Sequence, residues 1–281
     1  MGRIATTWSL MKSSWHILMR DRVLLVLPLI TGVAALLVMA IFFLPFMSTV
    51  DGGFSDDATP TFATYVVGFC YYLCIFFVIY FFNAALVDYV VTRLSGEEPT
   101  LRTSLREAAS CAPQIALWAM AAATVGLLLE LIQSRTGFLG KLAAGIIGIA
   151  WTLVTFFVVP LIVIERKGAL EAISDSKAMV RKTWGEQVAS GVGYSLVGFL
   201  LVLPAFIIGV AVLVMLGASD VQGWAPYLLV IAAGIAWFIA VAVVMTALKT
   251  IFGVVLYLYT KTGKVPEGFQ VQDLRRAIAP V

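Results

Sequence analysis

The sequence predicts an all-α membrane protein in which six transmembrane helices alternate with amphipathic helices lying on one membrane face. Three observations carry this. Hydrophobic residues make up 61% of the 281 positions and charged ones only 12%, with a mean hydropathy of +1.00; such a chain could not cover its own surface in water. The charges are clustered, leaving uncharged intervals at Val23–Val50, Ala58–Val87, Ala108–Leu129, Leu142–Ile164, Gln187–Ser219 and Val221–Leu248. Each is at least as long as the ~20 residues a helix needs to cross a hydrocarbon core. Third, Lys and Arg fall on alternate connections, as expected when one set of loops stays in the cytoplasm.

Residues 1–22 are expected to form an amphipathic helix. Ile4, Trp8, Met11, Trp15 and Leu18 recur at spacings of three and four, with Lys12, His16 and Arg20 on the opposite face. The opening MGRIAT fits an acylation pattern, but a chain with six spans gains nothing from one acyl chain. The first span is expected over 23–47. Its apolar core is far longer than that of a cleaved signal, so it reads as a retained helix. The acidic connection 49–60, with Asp51, Asp56 and Asp57, lacks calcium-loop spacing and reads as a solvated turn.

The second span is expected over 62–91. It carries Cys70 and Cys74 on one face, while Cys111 stands at the entrance of the third span. With one histidine in the chain these three read as buried small hydrophobes, and neither metal nor cofactor is expected. Between them, SGEEPTLRTSLREAAS (95–110) opens on Pro99 and places Leu101, Leu105 and Ala108 opposite Arg102 and Arg106. The third and fourth spans are expected over 112–133 and 139–164.

The charged stretch IERKGALEAISDSKAMVRKTWGEQ (164–187) then interrupts the apolar pattern. Over 168–184 it reads as an interfacial helix, with Leu170, Ile173, Val180 and Trp184 along an apolar stripe edged by Ala169, Ala172, Ser176 and Met179. Lys177, Arg181 and Lys182 face anionic headgroups. Spans five and six are expected over 187–217 and 226–259, and 260–281 is a cytoplasmic tail whose segment 263–278 is a weaker amphipathic copy. All of this forms one integral membrane domain, 1–281.

Sixteen Lys and Arg lie in the N-terminal segment, the second and fourth connections and the tail. Only Arg135 and Lys141 lie in the opposite connections, and Lys249 sits at the inner end of the last span. Both termini are therefore expected in the cytoplasm. The net charge of +3 is a topology signal and gives no reason to expect nucleic acid. The order interfacial helix, outward span, inward span occurs three times, with Gly96, Gly168 and Gly263 each following an inward span. It reads as a threefold pseudo-repeat.

The runs FFNAALVDYVVTRLSGEEPTLRTSLREA, WTLVTFFVVPLIVIERKGALEAISDS and VRKTWGEQ resemble an uncharacterised family of bacterial six-helix membrane proteins. The resemblance covers roughly residues 60 to 265, and its core is P-x-x-x-x-E-x-x-G from Pro160 through Glu165 to Gly168. The chain is more loosely similar to the membrane domain ahead of some glycerophosphodiester phosphodiesterases. That resemblance implies a fold, a topology and the bacterial inner membrane; it implies no activity, because no catalytic phosphodiesterase domain is present.

Candidate chemistry is sparse. Asn83, Asp88, Glu130 and Lys249 are the polar residues within or beside the spans, and only Asp88 and Lys249, at a shared depth, are a plausible ion pair. GYSLVG (193–198) has Val197 where a nucleophile elbow needs glycine, and no HExxH or phosphate loop occurs. Pro160 and Pro204 should kink spans four and five. Small residues recur every fourth position at Gly140, Ala144, Gly148 and Thr152, at Gly185, Ala189 and Gly193, and at Ala232, Ala236 and Ala240, which favours close helix packing.

The expected function is therefore non-enzymatic: a membrane-organising or accessory protein that binds anionic lipid or a cytoplasmic partner through its basic amphipathic helices. Lys177, Arg181, Lys182, Trp184, Trp8 and Trp15 would carry the lipid contact. The alternative is a small transporter or channel for an apolar or lipid-like solute. The expected partners are membrane lipids and, through the small-residue rows, a second copy of the chain or another membrane protein.

Overall fold

A computed structural model of the protein describes residues 3–51, 59–218, 223–263 and 269. Among them the elements run α1 Arg3–Arg20, a 3-10 turn Arg22–Leu25, α2 Val26–Ser48, β1 Val50–Asp51, β2 Thr59–Pro60, α3 Phe62–Leu94, α4 Leu101–Ser110, α5 Ala112–Arg135, α6 Phe138–Val154, α7 Val158–Glu165, α8 Ala169–Ala218 and α9 Ala225–Thr262. Six helical stretches are long and apolar enough to cross a membrane: Arg22–Ser48, Phe62–Leu94, Ala112–Ser134, Gly140–Glu165, Val197–Gly217 and Ala225–Thr262. The fourth combines α6 and α7.

Local chemistry sets most of the boundaries. Thr61 and Thr100 each open a helix through a reciprocal capping box, with Thr64 and Thr103 respectively. Thr61 and Thr64 also both donate to Thr49 O, at 2.6 and 2.5 Å, which closes the first connection beside the β1–β2 pair. At the other ends, Gly96 (φ 85°) follows α3 and Gly263 (φ 66°) terminates α9. Gly168, which follows the fourth span, has no positive φ. The left-handed position there belongs to Arg166, at φ 55° and ψ 30°.

Two expected boundaries differ. The fourth span is two helices, broken at Thr155–Phe157 just ahead of Pro160. Pro160 has no N–H to give, so the ladder fails one turn earlier and restarts at Val158. The interfacial segment 168–184 and the fifth span, expected as separate helices, form the single 50-residue helix α8. At 1.5 Å per residue that helix is about 75 Å long, more than twice a hydrocarbon core.

The core sits at the end of the molecule where the Lys and Arg cluster. It is built from Ala84–Val90 of α3, Val158–Val163 of α7, Ile251–Tyr257 of α9, Leu10 and Leu18 of α1, and Ile115 and Trp118 of α5. Towards the other end the side chains become more exposed. Every residue from Ile231 to Ala240 in α9 is exposed, including Ala232, Ala236 and Ala240. Of the small-residue rows, the one on α6 packs: Ala144 is buried, and a methyl at Gly148 would stand 3.7 Å from Leu129. The side chains of Gln187–Leu196, and of Gly185 and Glu186 before them, lie outside the described residues.

Candidate functional site at the basic end

The broken fourth span is the organising feature of the basic end. Interrupting a helix frees backbone groups that would be costly to bury unpaired. Ser176 of α8, itself fully buried, accepts a hydrogen bond from Phe157 N–H (3.1 Å) and donates one to Val154 O (2.6 Å). One hydroxyl thus bridges both sides of the break.

This contact sets the rotation of α8. Ala169, Ala172, Ser176, Met179 and Val180 form its buried face, whereas the expected apolar stripe began with Leu170. Leu170 is 81% exposed and shares the outward face with Lys177 and Arg181, seven and eleven residues on. Ile173 is half-buried against the core. The small residues lie inward because they let α8 approach α7 closely enough for a serine to reach main chain. No ion pair engages Lys177 or Arg181 among the described residues; the side chains of Lys182 and Trp184 lie outside those residues.

Behind the break, the motif residue Glu165 is a node. It receives a hydrogen bond from Tyr257 Oη and ion pairs with Lys261 (2.7 Å) and Lys167 (3.1 Å). Lys167 also pairs with Glu171 (3.6 Å) and Asp175. Its hydrogen bonds to Asp175 and then Glu165 hold its ammonium well above the usual lysine range. Arg166, beside it, donates to Glu107, Ser110 and Cys111. The α7–α8 turn is therefore fastened on one side to α9 and on the other to the α4–α5 junction. A similar clasp joins α1 to α3: Asp21 caps Val23 N–H, accepts from Tyr89 Oη (3.0 Å) and pairs with Arg93 (3.6 Å).

Helix α1 buries Leu10, Met11, Ser14 and Leu18, and Trp8 and Trp15, expected on one apolar stripe with Met11 and Leu18 and as lipid contacts, stand 62% and 43% exposed. Lys12, expected on the opposite face, lies between them. With Val197, Leu201, Val244, Met245 and Leu248 they line an apolar groove of about 470 Å³ between α1, α8 and α9. Its lining is aliphatic apart from the two indoles and the Lys12 side chain. Helix α4 follows expectation: Ala108 and Ser104 are buried, Leu101 and Leu105 pack on the core, and Arg102 and Arg106 face out. The copy expected at 263–278 lies outside the described residues, except Gly263 and Phe269.

Asp88 and Lys249 do not meet. Lys249 lines a cavity beside the helix break with Asn83 and Val87. The charge of Asp88 acts instead on Cys111, whose thiol is pushed up by burial first, with Asp88 adding to it and a hydrogen bond from Ser110 opposing. Glu130 lies at the opposite end, on an apolar groove of about 460 Å³ between α2, α3 and α5; the side chain of Arg135 lies outside the described residues. Cys70, Cys74 and Cys111 are all free, and no cluster of potential metal ligands occurs among the described residues.

Sequence reasoning overlooked Ser176 as anything but the edge of a stripe. The signal was a serine on an otherwise Ala and Met face, within reach of a span containing proline.

The arrangement defines a class: an all-helical protein with six helices long and apolar enough to cross a membrane, packed tightly at its basic end. The model of the family described as "Family of unknown function (DUF6159)" matches residues 62–268, and the chain belongs to that family. No curated protein and no solved structure matches it.

Proposed function

We propose that this is a non-enzymatic protein of the bacterial inner membrane that organises or assists there by binding anionic lipid at its basic end. In this reading the spans are membrane-embedded and both termini face the cytoplasm. The N-terminal helix, α4 and the start of α8 line the inner surface. The single observation that carries it is the groove beneath α1, where Trp8 and Trp15 flank Lys12 over an apolar floor. The outward Lys177 and Arg181 extend the same basic surface. Three successions of basic amphipathic segment, outward span and inward span support a threefold repeat in this reading, although in the third the segment and the outward span are one helix. The looser likeness to the membrane domain of some glycerophosphodiester phosphodiesterases concerns that domain alone and adds no catalysis.

The test uses the full-length protein in nanodiscs of phosphatidylcholine and phosphatidylglycerol. Native mass spectrometry of the released protein counts retained lipid. The wild type should keep phosphatidylglycerol in preference to phosphatidylcholine, and Trp8→Ala/Lys12→Gln/Trp15→Ala should lose it. Replacing Lys177, Arg181 and Lys182 with Gln should cut the anionic preference by roughly two powers of ten, at about 1 kcal/mol per base. A wild type without preference for the anionic lipid would refute the proposal.

A further inference from the structure

The end of the molecule opposite the basic one holds a feature that the lipid reading does not use. An open groove of about 460 Å³ runs between α2, α3 and α5, with Glu130 in its lining. Thr64, also in the lining, donates to Thr49 O and so fastens the start of α3 to the end of α2. Two of the walls are aromatic, Phe42, Phe43 and Phe46 on α2 and Tyr65, Tyr71 and Tyr72 on α3. Phe42 meets Tyr71 edge-on, with ring centroids 5.9 Å apart and 62° between planes, and Tyr71 is inclined by 59° to Tyr72 at 5.7 Å. Rings set at such angles leave faces uncovered where flat stacking would hide them. Tyr72 commits one face, to Phe76.

The charge and the ring faces in this lining act in one direction. Glu130 is exposed, and among the described residues no hydrogen bond or ion pair engages its carboxylate. The hydroxyls of Thr64 and Ser134 are spent on main-chain carbonyls, Thr49 O and Leu131 O. No nitrogen-bearing side chain lines the groove among the described residues. The face of an aromatic ring is the negative part of its quadrupole, so the rings attract the same sign of charge as the carboxylate. The sequence adds to this field. Asp51, Asp56, Asp57 and Asp220 stand in the connections at this end, against Arg135 and Lys141. An anion would be repelled by carboxylate and rings alike. Calcium or magnesium would find one carboxylate where either takes about six oxygens. A neutral hydrocarbon would fill the groove and draw nothing from Glu130.

We propose that this groove binds an organic ammonium ion carried on an apolar body. Glu130 pairs with the charge, Phe42, Tyr71 and Tyr72 pack around the ammonium and its alkyl groups, and Leu127 and Leu131 take part of the apolar body. Phe42, Tyr71 and Tyr72 are half-buried, which removes part of the water that would screen the attraction between ring and cation. A quaternary ammonium suits such walls best, since its charge is spread over alkyl groups that themselves prefer the rings to water. The ammonium is either the head of a membrane amphiphile or a free solute. Both sources share this chemistry. The groove and the one beside α1 lie at opposite ends of the molecule and carry opposite charges, so neither assignment rests on the other.

The experiment measures equilibrium binding of radiolabelled decyltrimethylammonium, decanol and phenyltrimethylammonium to the full-length protein at low salt. An uncharged maltoside detergent is used, so that no lipid headgroup competes. Decyltrimethylammonium should bind saturably, and decanoate should not displace it. Glu130→Gln should weaken the cation about fivefold, and Tyr71→Leu, which keeps an apolar side chain and removes the ring face, about threefold. Glu130→Asp should keep most of the affinity. Decanol binding should be the same in all of these variants, which separates loss of the charge site from a folding defect. Saturable phenyltrimethylammonium binding with the same Glu130 dependence would identify a free solute as sufficient; binding of the decyl compound alone would identify a membrane amphiphile. The inference is overturned if decyltrimethylammonium does not bind saturably, or if decanoate displaces it as well as the unlabelled cation does. It is equally overturned if either Glu130→Gln or Tyr71→Leu binds the cation as the wild type does, or weakens decanol as much as the cation. Trp8→Ala/Lys12→Gln/Trp15→Ala should leave cation binding intact, and its loss there would place the ligand in the α1 groove instead.

Discussion

Ser176 holds Phe157: its hydroxyl takes the main-chain N–H of Phe157 while donating to Val154 O. A residue on the charged connection thus completes the hydrogen bonding of a span that precedes it. Removing that hydroxyl leaves a buried N–H and a buried carbonyl without partners. Ser176→Ala should therefore lower stability by about 2 kcal/mol or more. Ser174→Ala, on the exposed side of the same helix, should change it by less than about 0.5 kcal/mol. Unfolding in mixed detergent reads both, and equal effects would show that the bridge is not what stabilises the break.

Arg166 combines a left-handed backbone with three side-chain acceptors. Arg166→Ala and Arg166→Gly both lose the contacts to Glu107, Ser110 and Cys111, but only glycine adopts that backbone without a Cβ penalty. The glycine variant should be the more stable of the two by about 1 kcal/mol. The difference in thermal midpoint measures it, and an alanine variant as stable as the glycine variant would contradict the backbone assignment.

Burial pushes the Cys111 thiol up, so it stays protonated and shielded near neutral pH. It should resist maleimide at pH 7 in the folded protein and react fully once unfolded. The sign of the linkage follows. A raised thiol pKa favours the folded state below the unfolded value, about 8.5, and that advantage is lost as pH rises through the raised value. The thermal advantage of the wild type over Cys111→Ala should shrink between about pH 8 and pH 10.

Since no ion pair joins Asp88 and Lys249, the two charges should act independently. Asp88→Asn and Lys249→Met should add in a double variant to within about 0.5 kcal/mol. A coupling clearly larger than that would place them in contact.

The proposed orientation predicts which surface is accessible. In a background without Cys70, Cys74 and Cys111, an impermeant thiol reagent on intact cells should label Asp56→Cys and leave Ser174→Cys untouched. Labelling of Ser174→Cys would invert the topology.

Six long apolar helices and their approximate limits were legible in the sequence, because hydropathy and charge clustering are properties of consecutive residues. The glycines after the second and sixth spans, Gly96 and Gly263, were legible for the same reason; the cap itself, Thr100 after Pro99, was not named from sequence. The rotation of α4 was legible too, but that of α1 and α8 was not. The expected stripes ran through Trp8 and Trp15 on α1 and Leu170 on α8, yet Leu10 and Ser14 of α1 and Ala172 and Ser176 of α8 face the core; on α8 the small side chains permit the close approach that tertiary packing needs. The break at Thr155–Phe157 was hidden for a related reason. Pro160 marks a weak point, but whether a helix bends or separates there depends on who satisfies its freed backbone. That partner, Ser176, lies 19 residues away from Phe157 on another helix. Local sequence set what each segment is; long-range packing decided which of its faces is used.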